Sequence, residues 1–490
     1  MSKNHFDYEV VVVGGGGSGL AAAASAAEHG ARVVVFEKEL QLGGTTGIAV
    51  GSFTANRTRL QMQQSIEDGP LQHCEDAGLF APPHIEARGN HELRRFFLEH
   101  AAETLVWLES LGLSFHGPSP EPPNRVPRMH NVVPNAKAYI AALQRRIMKR
   151  GGTIMVNTRV ESLLRDKGRV IGVAVVRNGT RNEITASRGV VLAAGDYASN
   201  PKMIAAYKGE EFSAIEGINP FATGEGQELV ASVGGKRVNM DVTYGPELRF
   251  IPPPRKPFSQ LLPASGVGAR IVGRLLRWLP KSVEAAMIKR LLVTWQHPED
   301  ALFQDGAVLV NQEGRRFCDE TKSPLREIAV ADQSGKIAYI LLDAELADRY
   351  SKWPHFISTA PEIAYAYTDD YLLLRPDVAM EACSWEELAA KRHLPGQLSM
   401  RGGTFPPPKR VFRGERWVLL GPVKAYFTTT EGGAAIDQQF RVLDEDENPI
   451  PGLYAIGQTG LGGQILWGHG LHIAWAMTSG RLVGRGLARR

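Results

Sequence analysis

Cysteine is scarce in this chain of 490 residues, which has only three, Cys74, Cys318 and Cys383. They lack the Cys-x-x-Cys spacing of iron–sulfur, zinc and c-type haem sites, so we expect no metal site and a reducing compartment. Long apolar runs are also missing, because none approaches the ~18 residues that a membrane-spanning helix needs. The start of the chain shows no signal-peptide pattern. These absences predict a cytoplasmic protein.

A large excess of charge of either sign is absent too. The 56 Lys and Arg residues are balanced by 52 Asp and Glu residues, and the net charge of +4 is too small to predict a nucleic-acid partner. The hydrophobic content of 43% and the charged content of 22% are those of an ordinary globular protein. A chain of this length has room for two or three domains.

Glycine, by contrast, is concentrated near the start of the chain. The apolar run Val10–Val13 stops at a glycine turn, and the alanine-rich segment Ala21–Ala27 follows it. This order predicts the strand, turn and helix of a dinucleotide fingerprint, in which glycines allow a tight turn and a close approach to pyrophosphate. The N-terminus of the predicted helix favours the phosphates. The residues concerned are Gly14, Gly16, Gly17, Ser18 and Gly19.

The residues after the fingerprint indicate which dinucleotide is bound. A second apolar run, Val33–Phe36, ends in Glu37, which is placed to bind ribose hydroxyls. The pair Gly43–Gly44 follows in a loop that a flavin enzyme uses along the pyrophosphate and isoalloxazine, and that a nicotinamide enzyme does not need. Two further apolar runs, Gly189–Gly195 and Pro451–Gln458, also end in small residues. Together with the end of Val10–Val13, these give three strand ends with small residues, and three such ends in one chain predict FAD.

The organisation of the remaining chain predicts an insertion. We expect an FAD-binding domain formed by residues 1–241 and 417–490, interrupted by a cap domain over residues 242–416, which is rich in proline and basic residues. The predicted fold class is α/β, with a Rossmann-like parallel sheet and an inserted α+β cap. The proline-rich residues 117–134 predict a loop, and a helix is expected from about residue 470 to residue 488.

Several motifs together resemble a known family. They are the fingerprint, the Gly43–Thr46 loop, the runs Val190–Asn200, Thr223–Gly226 and Asn311–Glu320, and the C-terminal stretch from Glu431 to Arg481. The chain is similar over nearly its whole length to the flavoprotein family of fumarate reductases, succinate dehydrogenases and 3-ketosteroid dehydrogenases. The resemblance implies an FAD-binding domain with an inserted cap, and a substrate held between cap and flavin.

We expect the FAD to be bound without a covalent link, because no histidine lies near residues 47–51 to carry one. The candidate cofactor residues are Gly14, Gly16, Gly17, Ser18, Gly19, Glu37, Lys38, Gly43, Gly44, Thr45, Thr46, Val160, Ala194, Gly195, Gly457, Gln458, Leu471 and Ile473.

Two departures from the family pattern narrow the expected substrate. Fumarate reductases resemble one another in a His-His-Thr-x-Gly-Gly stretch, where this chain has Thr428–Gly433. They also carry an arginine before the last helix, where this chain has Gln464–Gly470, with His469 as its one candidate cation. A dicarboxylate needs fixed cationic donors, so fumarate and succinate are not expected. The turn instead looks more like that of the 3-ketosteroid dehydrogenases, although their tyrosine is missing here.

The candidate catalytic residues follow from this turn. His469 is expected to act as acid or base, and the Gly470 N–H is expected to polarise a substrate carbonyl. A structural histidine that bonds a backbone carbonyl is the alternative for His469. Tyr244 and Tyr426 are weaker candidates, because a buried tyrosine is more often a packed ring with one hydrogen bond.

Residues 268–295 form a basic segment that contains tryptophan. Arg270, Arg274 and Arg277 fall on one helical face, with Trp278 near its border. Such a helix can lie in a membrane interface, or it can pack on its own domain, and both readings stay open. The first would place the enzyme at the inner membrane face, with a lipophilic substrate and an external electron acceptor such as a quinone.

Three functions remain open from the sequence. The first is an FAD-dependent dehydrogenase that introduces a C=C bond next to the ketone of a lipophilic, 3-ketosteroid-like substrate. In this reaction a base removes the α proton and flavin N5 accepts a hydride. The second is the reverse reaction, an enone reductase that uses the same site. The third is a flavin-dependent isomerase or hydratase without net redox chemistry.

Overall fold

The computed structural model describes residues 6–252, 296–360, 364–400 and 405–489, together with residues 289, 290 and 293. Two main sheets organise these residues, and the strands of the second all lie between residues 216 and 427. The predicted α/β class with a parallel sheet is confirmed. Among the described residues, no helix combines the length and apolar character needed to cross a bilayer.

The first sheet has eight strands and carries the fingerprint. Five of its strands pair in parallel, and the side chains of Val10–Val13, Val33–Phe36 and Val190–Leu192 are buried, as expected where helices cover both faces of a sheet. In spatial order the strands are Arg441–Leu443, Pro449–Ala455, Thr180–Leu192, Tyr8–Val13, Val33–Phe36 and Thr153–Met155, with Arg159–Asp166 and Arg169–Arg177 joined through Thr180–Leu192.

Two helices rich in small residues pack tightly against each other beside the first sheet. They are Gly17–Glu28 and the final helix, Leu471–Ala488, whose predicted extent is confirmed. A Cβ atom at Gly480 would lie 2.5 Å from the Ser18 carbonyl oxygen, so only glycine allows this contact. The close packing fixes the start of the final helix relative to the fingerprint turn.

The second sheet has six strands around one long central strand, Trp417–Phe427. We expected the chain to return to the FAD-binding domain at residue 417, and this boundary stays a prediction. Strand Trp417–Phe427 pairs with strands of the inserted region. Its alternating buried and accessible residues fit a sheet with one covered face. The other strands are Glu216–Gly217, Glu247–Phe250, Val308–Val310, Ala338–Leu342 and Ala379–Ala382.

A small three-stranded sheet corrects the loop predicted over residues 117–134. The strands are Ser52–Thr54, Ser114–Ser119 and Met129–Val133, so only residues 120–128 connect two of them as a loop. Local proline content therefore overestimated the loop. Three two-stranded sheets complete the strands: Arg237–Val238 with Gly433–Ala434, Thr243–Tyr244 with Thr429–Thr430, and Ser358–Ala360 with Ala364–Ala366.

The remaining helices cover the sheets and line their edges. They are Gly44–Ile48, Arg59–Gln63, Pro70–Ala77, Pro83–Glu86, His91–Ser110, Lys137–Lys149, Pro201–Tyr207, Glu225–Ser232, Asp300–Gln304, Leu325–Ala331, Ala344–Arg349, Thr368–Leu374 and Trp385–Arg392, with 3-10 turns at Glu210–Phe212 and Ser334–Lys336. Apart from Lys289, Arg290 and Val293, the basic segment 268–295 lies outside the described residues. Membrane contact through it stays a prediction.

Candidate functional site

The three predicted strand ends lie side by side at one edge of the first sheet. Strand Thr180–Leu192 pairs in parallel with Tyr8–Val13 on one side and with Pro449–Ala455 on the other. The residues after these strands, among them Ala194 and Gly457, therefore meet at one carboxyl edge. In an open parallel sheet this edge is where a nucleotide binds.

The fingerprint glycines and Gly195 fall into two groups, those that pack tightly against other atoms and those that face open space. A Cβ atom at Gly14 would lie 2.3 Å from the Ala193 carbonyl oxygen, and one at Gly19 would lie 2.0 Å from the Gly14 carbonyl oxygen. At Gly16 the nearest such neighbour is 3.9 Å away, and at Gly195 none lies within 4 Å. The tight pair shapes the turn, while the open pair leaves backbone accessible to a pyrophosphate and the ring system beyond it.

The acid at the end of the second strand is held by backbone groups. Glu37 is buried and accepts hydrogen bonds from the Gly15 N–H at 2.7 Å and the Glu39 N–H at 2.9 Å. Its neighbour Lys38 points elsewhere and donates to Glu225 at 2.8 Å. Thr158, next in sequence to the strand that contains Val160, donates its N–H to the Glu37 carbonyl at 2.8 Å. Glu37 and Val160 are thus placed together, whereas Lys38 serves an ion pair.

The Gly43–Thr46 segment is a helix and not the loop that we expected. Helix Gly44–Ile48 begins directly after Gly43, whose φ of 136° favours glycine. The Gly43 N–H donates to the Gly15 carbonyl at 3.0 Å, so this helix start lies against the fingerprint turn. Thr46 Oγ1 is in close contact with Gly17, since a Cβ atom there would lie 2.5 Å away. Two helix N-termini therefore converge on the expected position of the pyrophosphate.

The C-terminal cofactor candidates lie on the opposite side of this turn. Gly457 packs on Ser18, and its carbonyl accepts a 2.9 Å hydrogen bond from the indole of Trp475 in the final helix. Gln458 donates to the Thr429 hydroxyl at 2.8 Å, while its Oε1 is buried with no partner among the described residues. That acceptor is available to a ligand hydroxyl. Leu471 is buried and Ile473 half-buried in the first turn of the final helix.

The turn before the final helix fixes His469 by three hydrogen bonds. Gly470 has a φ of 85°, and a Cβ atom there would lie 2.5 Å from Thr54 Oγ1, so the turn requires glycine. The Thr54 hydroxyl donates to the His469 carbonyl at 2.6 Å. Glu121 Oε1 accepts from the His469 N–H at 2.9 Å and contacts the ring Nδ1 at 2.5 Å. Nε2 has no hydrogen-bond partner among the described residues.

The contact with Glu121 controls the charge of the His469 ring. Burial by itself lowers the pKa of His469, but the hydrogen bond and the charge of Glu121 more than offset it, and the pKa is raised above its ordinary value. The side chain is 54% exposed although protein surrounds it on several sides, as at the bottom of a cleft. The imidazole is therefore stabilised in its protonated form while it remains accessible.

A second histidine, His472, lies three residues further along the chain, in the first turn of the final helix. His472 Nε2 contacts Oε1 of the fully buried Glu431 at 2.9 Å. Asp196, which follows Gly195, is close enough for the charges of both residues to act on it, and burial raises its pKa to about 6. This group therefore places ionisable side chains directly beside the candidate flavin residues.

Aromatic rings form a wall next to these histidines. The rings of Tyr244 and Trp467 stack with centroids 5.5 Å apart and an interplanar angle of 11°. His472 lies beyond Tyr244, at a centroid distance of 6.5 Å. Burial raises the pKa of Tyr244, and the charges of Glu247 and Glu121 raise it further, so its hydroxyl stays neutral. Tyr426 lies directly opposite Glu247 in the second sheet, and its ring is beside Lys424 and Glu216, so its role stays a prediction.

The second sheet contributes charge opposite the aromatic wall. Glu247 accepts hydrogen bonds from Arg249 Nε at 3.0 Å and from the Thr428 hydroxyl at 2.7 Å. Burial raises the pKa of Glu247, but the charges of Arg249 and His297 outweigh it and lower the pKa to about 2. The charges of Glu247 and Arg249 both act on the imidazole of His469. We call the space bounded by Glu121, Tyr244, Glu247, Trp467 and His469 the His469 cleft.

Unpartnered polar atoms mark the same region. Glu121 Oε2, Glu431 Oε2 and Trp467 Nε1 are buried and have no hydrogen-bond partner among the described residues. Buried polar groups are nearly always satisfied in folded proteins, so such atoms indicate a place where a ligand or water binds.

Several residues of the His469 cleft were missed by sequence reasoning. Glu121 stands in a proline-rich loop that has no periodic pattern, so no local signal could have identified it. Glu431 was visible as a departure from the family motif but was not assigned a role. Glu247 and Arg249 are two residues apart in a strand and so share a face, a signal that was available.

Fold and site together define a flavin-dependent oxidoreductase that acts on carbon–carbon bonds. A family model described as an FAD binding domain matches residues 9–254 and 276–467, and the chain belongs to this family. The predicted FAD cofactor is thereby confirmed. The open glycines, the helix N-termini and the unpartnered Gln458 Oε1 fit such a cofactor.

Curated relatives are named as reductases. The chain is 25% identical over 491 residues to a fumarate reductase of Schizosaccharomyces pombe, covering 93% of this chain and 85% of the relative. It is 24% identical over 512 residues to a vinyl phenol reductase of Lactiplantibacillus plantarum, covering 99% and 97% of the two chains.

Solved structures share the fold across both branches of the superfamily. A flavocytochrome c3 fumarate reductase in its open conformation superposes with a TM-score of 0.71 at 23% identity, over 98% of this chain and 78% of that one. A 3-ketosteroid-Δ4-(5α)-dehydrogenase from Rhodococcus jostii RHA1 superposes with a TM-score of 0.61 at 20% identity, over 100% and 99%. The structural neighbours thus include the ketosteroid branch, while the sequence relatives are reductases.

Proposed function

We propose that this protein is an FAD-dependent reductase of alkenes conjugated to an electron-withdrawing group, with enones as the model class. The observation that carries the proposal is the pairing of His469 with Glu121, which raises the pKa of the imidazole and favours its protonated form just before the final helix. Reduction of a conjugated alkene needs a proton donor at the α carbon, and a histidine held in its charged form supplies one. FAD, when bound, supplies the hydride for the β carbon.

The other residues of the site have supporting roles in this proposal. The N–H of Gly470 and the positive end of the final helix can polarise the carbonyl of the substrate. The stacked rings of Tyr244 and Trp467 offer a flat apolar surface for a lipophilic, conjugated substrate. The names of the curated relatives support the direction of reduction.

The opposite direction, dehydrogenation of a ketone, would use the same groups. It requires His469 to begin the reaction as a neutral base, and its contact with Glu121 works against that form. The similarity to 3-ketosteroid dehydrogenases is one of fold. We therefore place reduction first. The chain has one dinucleotide fingerprint, which FAD uses, so we propose that electrons come from an external carrier.

Flavin absorbance under anaerobic conditions tests the proposal. Photoreduced holoenzyme is mixed with 2-cyclohexenone, 4-phenyl-3-buten-2-one or a 4-ene-3-ketosteroid, and flavin reoxidation is followed together with product analysis. We expect reoxidation to accompany formation of the saturated ketone. Bleaching of oxidised enzyme by saturated ketones, with no reoxidation by enones, would reverse the assigned direction. Silence of all pairs in both directions would refute the proposed substrate class.

A further inference from the structure

The charges around the His469 cleft are mainly negative. Glu121 and Glu431 present buried carboxylates with an unpartnered oxygen each, and Glu247 adds a third. The charges of all three act on the Tyr244 hydroxyl in the same direction. Among the described residues, the basic groups against them are Arg249, His469 and His472, and each already contacts one of the three carboxylates. A ligand that enters the cleft therefore finds no unpaired cation in the described part of the chain.

The arginine of the cleft is engaged by a neighbouring carboxylate. Glu247 and Arg249 are two residues apart on strand Glu247–Phe250, and two guanidinium nitrogens contact Glu247 Oε1, at 3.0 Å and 2.5 Å. Both side chains are largely buried. The Thr428 hydroxyl at 2.7 Å and His297 Nδ1 at 3.7 Å also face the Glu247 carboxylate, which fixes its position. The guanidinium charge is thus balanced within the strand that carries it.

Binding a carboxylate substrate in this cleft would have a large electrostatic cost. A guanidinium binds a carboxylate best through two parallel hydrogen bonds, and here Glu247 already uses the Nε and Nη2 donors. An incoming anion would also be repelled by Glu121 and Glu431, whereas an uncharged carbonyl group would not.

We propose that Glu247 is a specificity-determining residue that, by engaging Arg249, reserves the His469 cleft for uncharged conjugated substrates and excludes their carboxylate counterparts. This inference rests on the proposed function and names the charge class of its substrate. In an enzyme that binds an anionic substrate through an arginine, the guanidinium pairs with the substrate. Here the guanidinium of Arg249 pairs with Glu247 instead. Thr428 positions the Glu247 carboxylate for this task.

Binding of a matched neutral and anionic pair tests the inference without turnover. Cinnamamide and cinnamate share one skeleton and differ in the charge of the terminal group. Their dissociation constants are measured by perturbation of flavin absorbance in oxidised holoenzyme. We expect the wild type to bind cinnamamide at least tenfold more tightly. Equal or tighter binding of cinnamate would overturn the inference, as would the failure of cinnamamide to perturb the flavin.

The Glu247→Gln variant tests the role of the residue itself. Glutamine keeps the side-chain shape and can still accept from Thr428, but it removes the charge that balances Arg249. We expect the ratio of the cinnamate dissociation constant to the cinnamamide dissociation constant to fall at least fivefold, because cinnamate binds more tightly. A ratio unchanged from the wild type would overturn the assignment.

Two further variants keep the test decisive. Glu381→Gln removes a glutamate of the second sheet that pairs with Arg416 at 3.1 Å and stands opposite Val418, far along the central strand from the partner of Glu247, and it should leave the ratio unchanged. Arg249→Gln should increase the ratio of the cinnamate dissociation constant to the cinnamamide dissociation constant. A decrease of this ratio would count against the inference even if Glu247→Gln failed to fold. These titrations measure binding, so they show whether the inferred charge class of the substrate is wrong. Whether the proposed reduction itself fails is shown separately, by the flavin reoxidation experiment.

Discussion

His469 and His472 stand three residues apart, and each ring contacts a buried glutamate, yet the two pairs differ in almost every other respect. His469 is held through its backbone as well as its ring, and its side chain is 54% exposed. His472 is 23% exposed and lies alongside Tyr244, with Glu431 fully buried behind it.

The difference shows that a histidine–carboxylate contact does not by itself define an acid. The His469 pair combines a fixed backbone, an accessible ring and a raised pKa, which are the properties of a proton donor. The His472 pair is enclosed beside Asp196 and the candidate flavin residues, which suits a role in positioning and in the electrostatics of the cofactor edge. Sequence spacing alone would have treated the two residues alike.

Removing each ring in turn tests the comparison most directly. For His469→Asn we expect alkene reduction to fall by about 10²- to 10⁴-fold, the usual contribution of a positioned general acid. For His472→Asn we expect a fall of at most about tenfold, the equivalent of one lost hydrogen bond. Single-turnover reoxidation of the photoreduced flavin gives both values.

Two controls accompany this pair of variants. His355→Asn changes a half-exposed histidine of the inserted region, 3.8 Å from Asp305, and should leave the rate within error of the wild type. The FAD content of each variant is measured, so that loss of cofactor is not taken for loss of chemistry. Equal falls for His469 and His472 would break the distinction drawn between the two pairs.

Replacing Glu121 should move a pH limb rather than abolish activity. His469 donates its proton in our proposal, so the reaction proceeds below its pKa and is lost as the pH rises through it. Glu121→Gln keeps an acceptor for Nδ1 but removes the charge that raises this pKa, so the alkaline limb of kcat/KM should move to lower pH. At pH 8 the variant should therefore lose more activity than at pH 6.

The stability of the protein should respond with the same sign. Because the folded-state pKa of His469 is raised, the pair with Glu121 stabilises the fold below the ordinary histidine pKa, and this contribution fades as the pH rises through the raised value.

Glu447→Gln, which removes an exposed partner of Lys236, is the matched control for the pH profile of activity, and its alkaline limb of kcat/KM should not move. An alkaline limb that stays in place in Glu121→Gln would show that another group donates the proton.

How much the sequence could predict differs between the two halves of the site. The cofactor edge follows from local patterns, because Gly14, Gly19 and Glu37 act through the turn and strands that contain them. Their spacing therefore predicts both structure and ligand. The loop expected at Gly43–Thr46 is a helix, yet its glycine and N–H groups lie where the prediction needs them.

The His469 cleft, in contrast, is assembled from distant segments. The contact between Glu121 and His469 joins residues 348 positions apart, and neither residue has neighbours that signal the other. The partners of strand Trp417–Phe427 could not be predicted for a related reason, because they are set by tertiary pairing. Charge balance across such a cleft is a property of the folded chain, and no single stretch of sequence contains it.

The Tyr244→Phe variant separates the catalytic role predicted for Tyr244 from its packing role in the His469 cleft. Tyr244→Phe removes the hydroxyl and keeps the ring that stacks on Trp467 at 5.5 Å. Since burial and the nearby carboxylates keep the hydroxyl neutral by raising its pKa, we expect kcat/KM to change by no more than about threefold. Tyr244→Ala, which removes the stacked surface, should raise KM more than it lowers kcat. A fall of kcat in Tyr244→Phe comparable to that of His469→Asn would make the tyrosine, and not the paired histidine, the proton donor, and would require His469 and His472 to be regarded as two positioning residues of one kind.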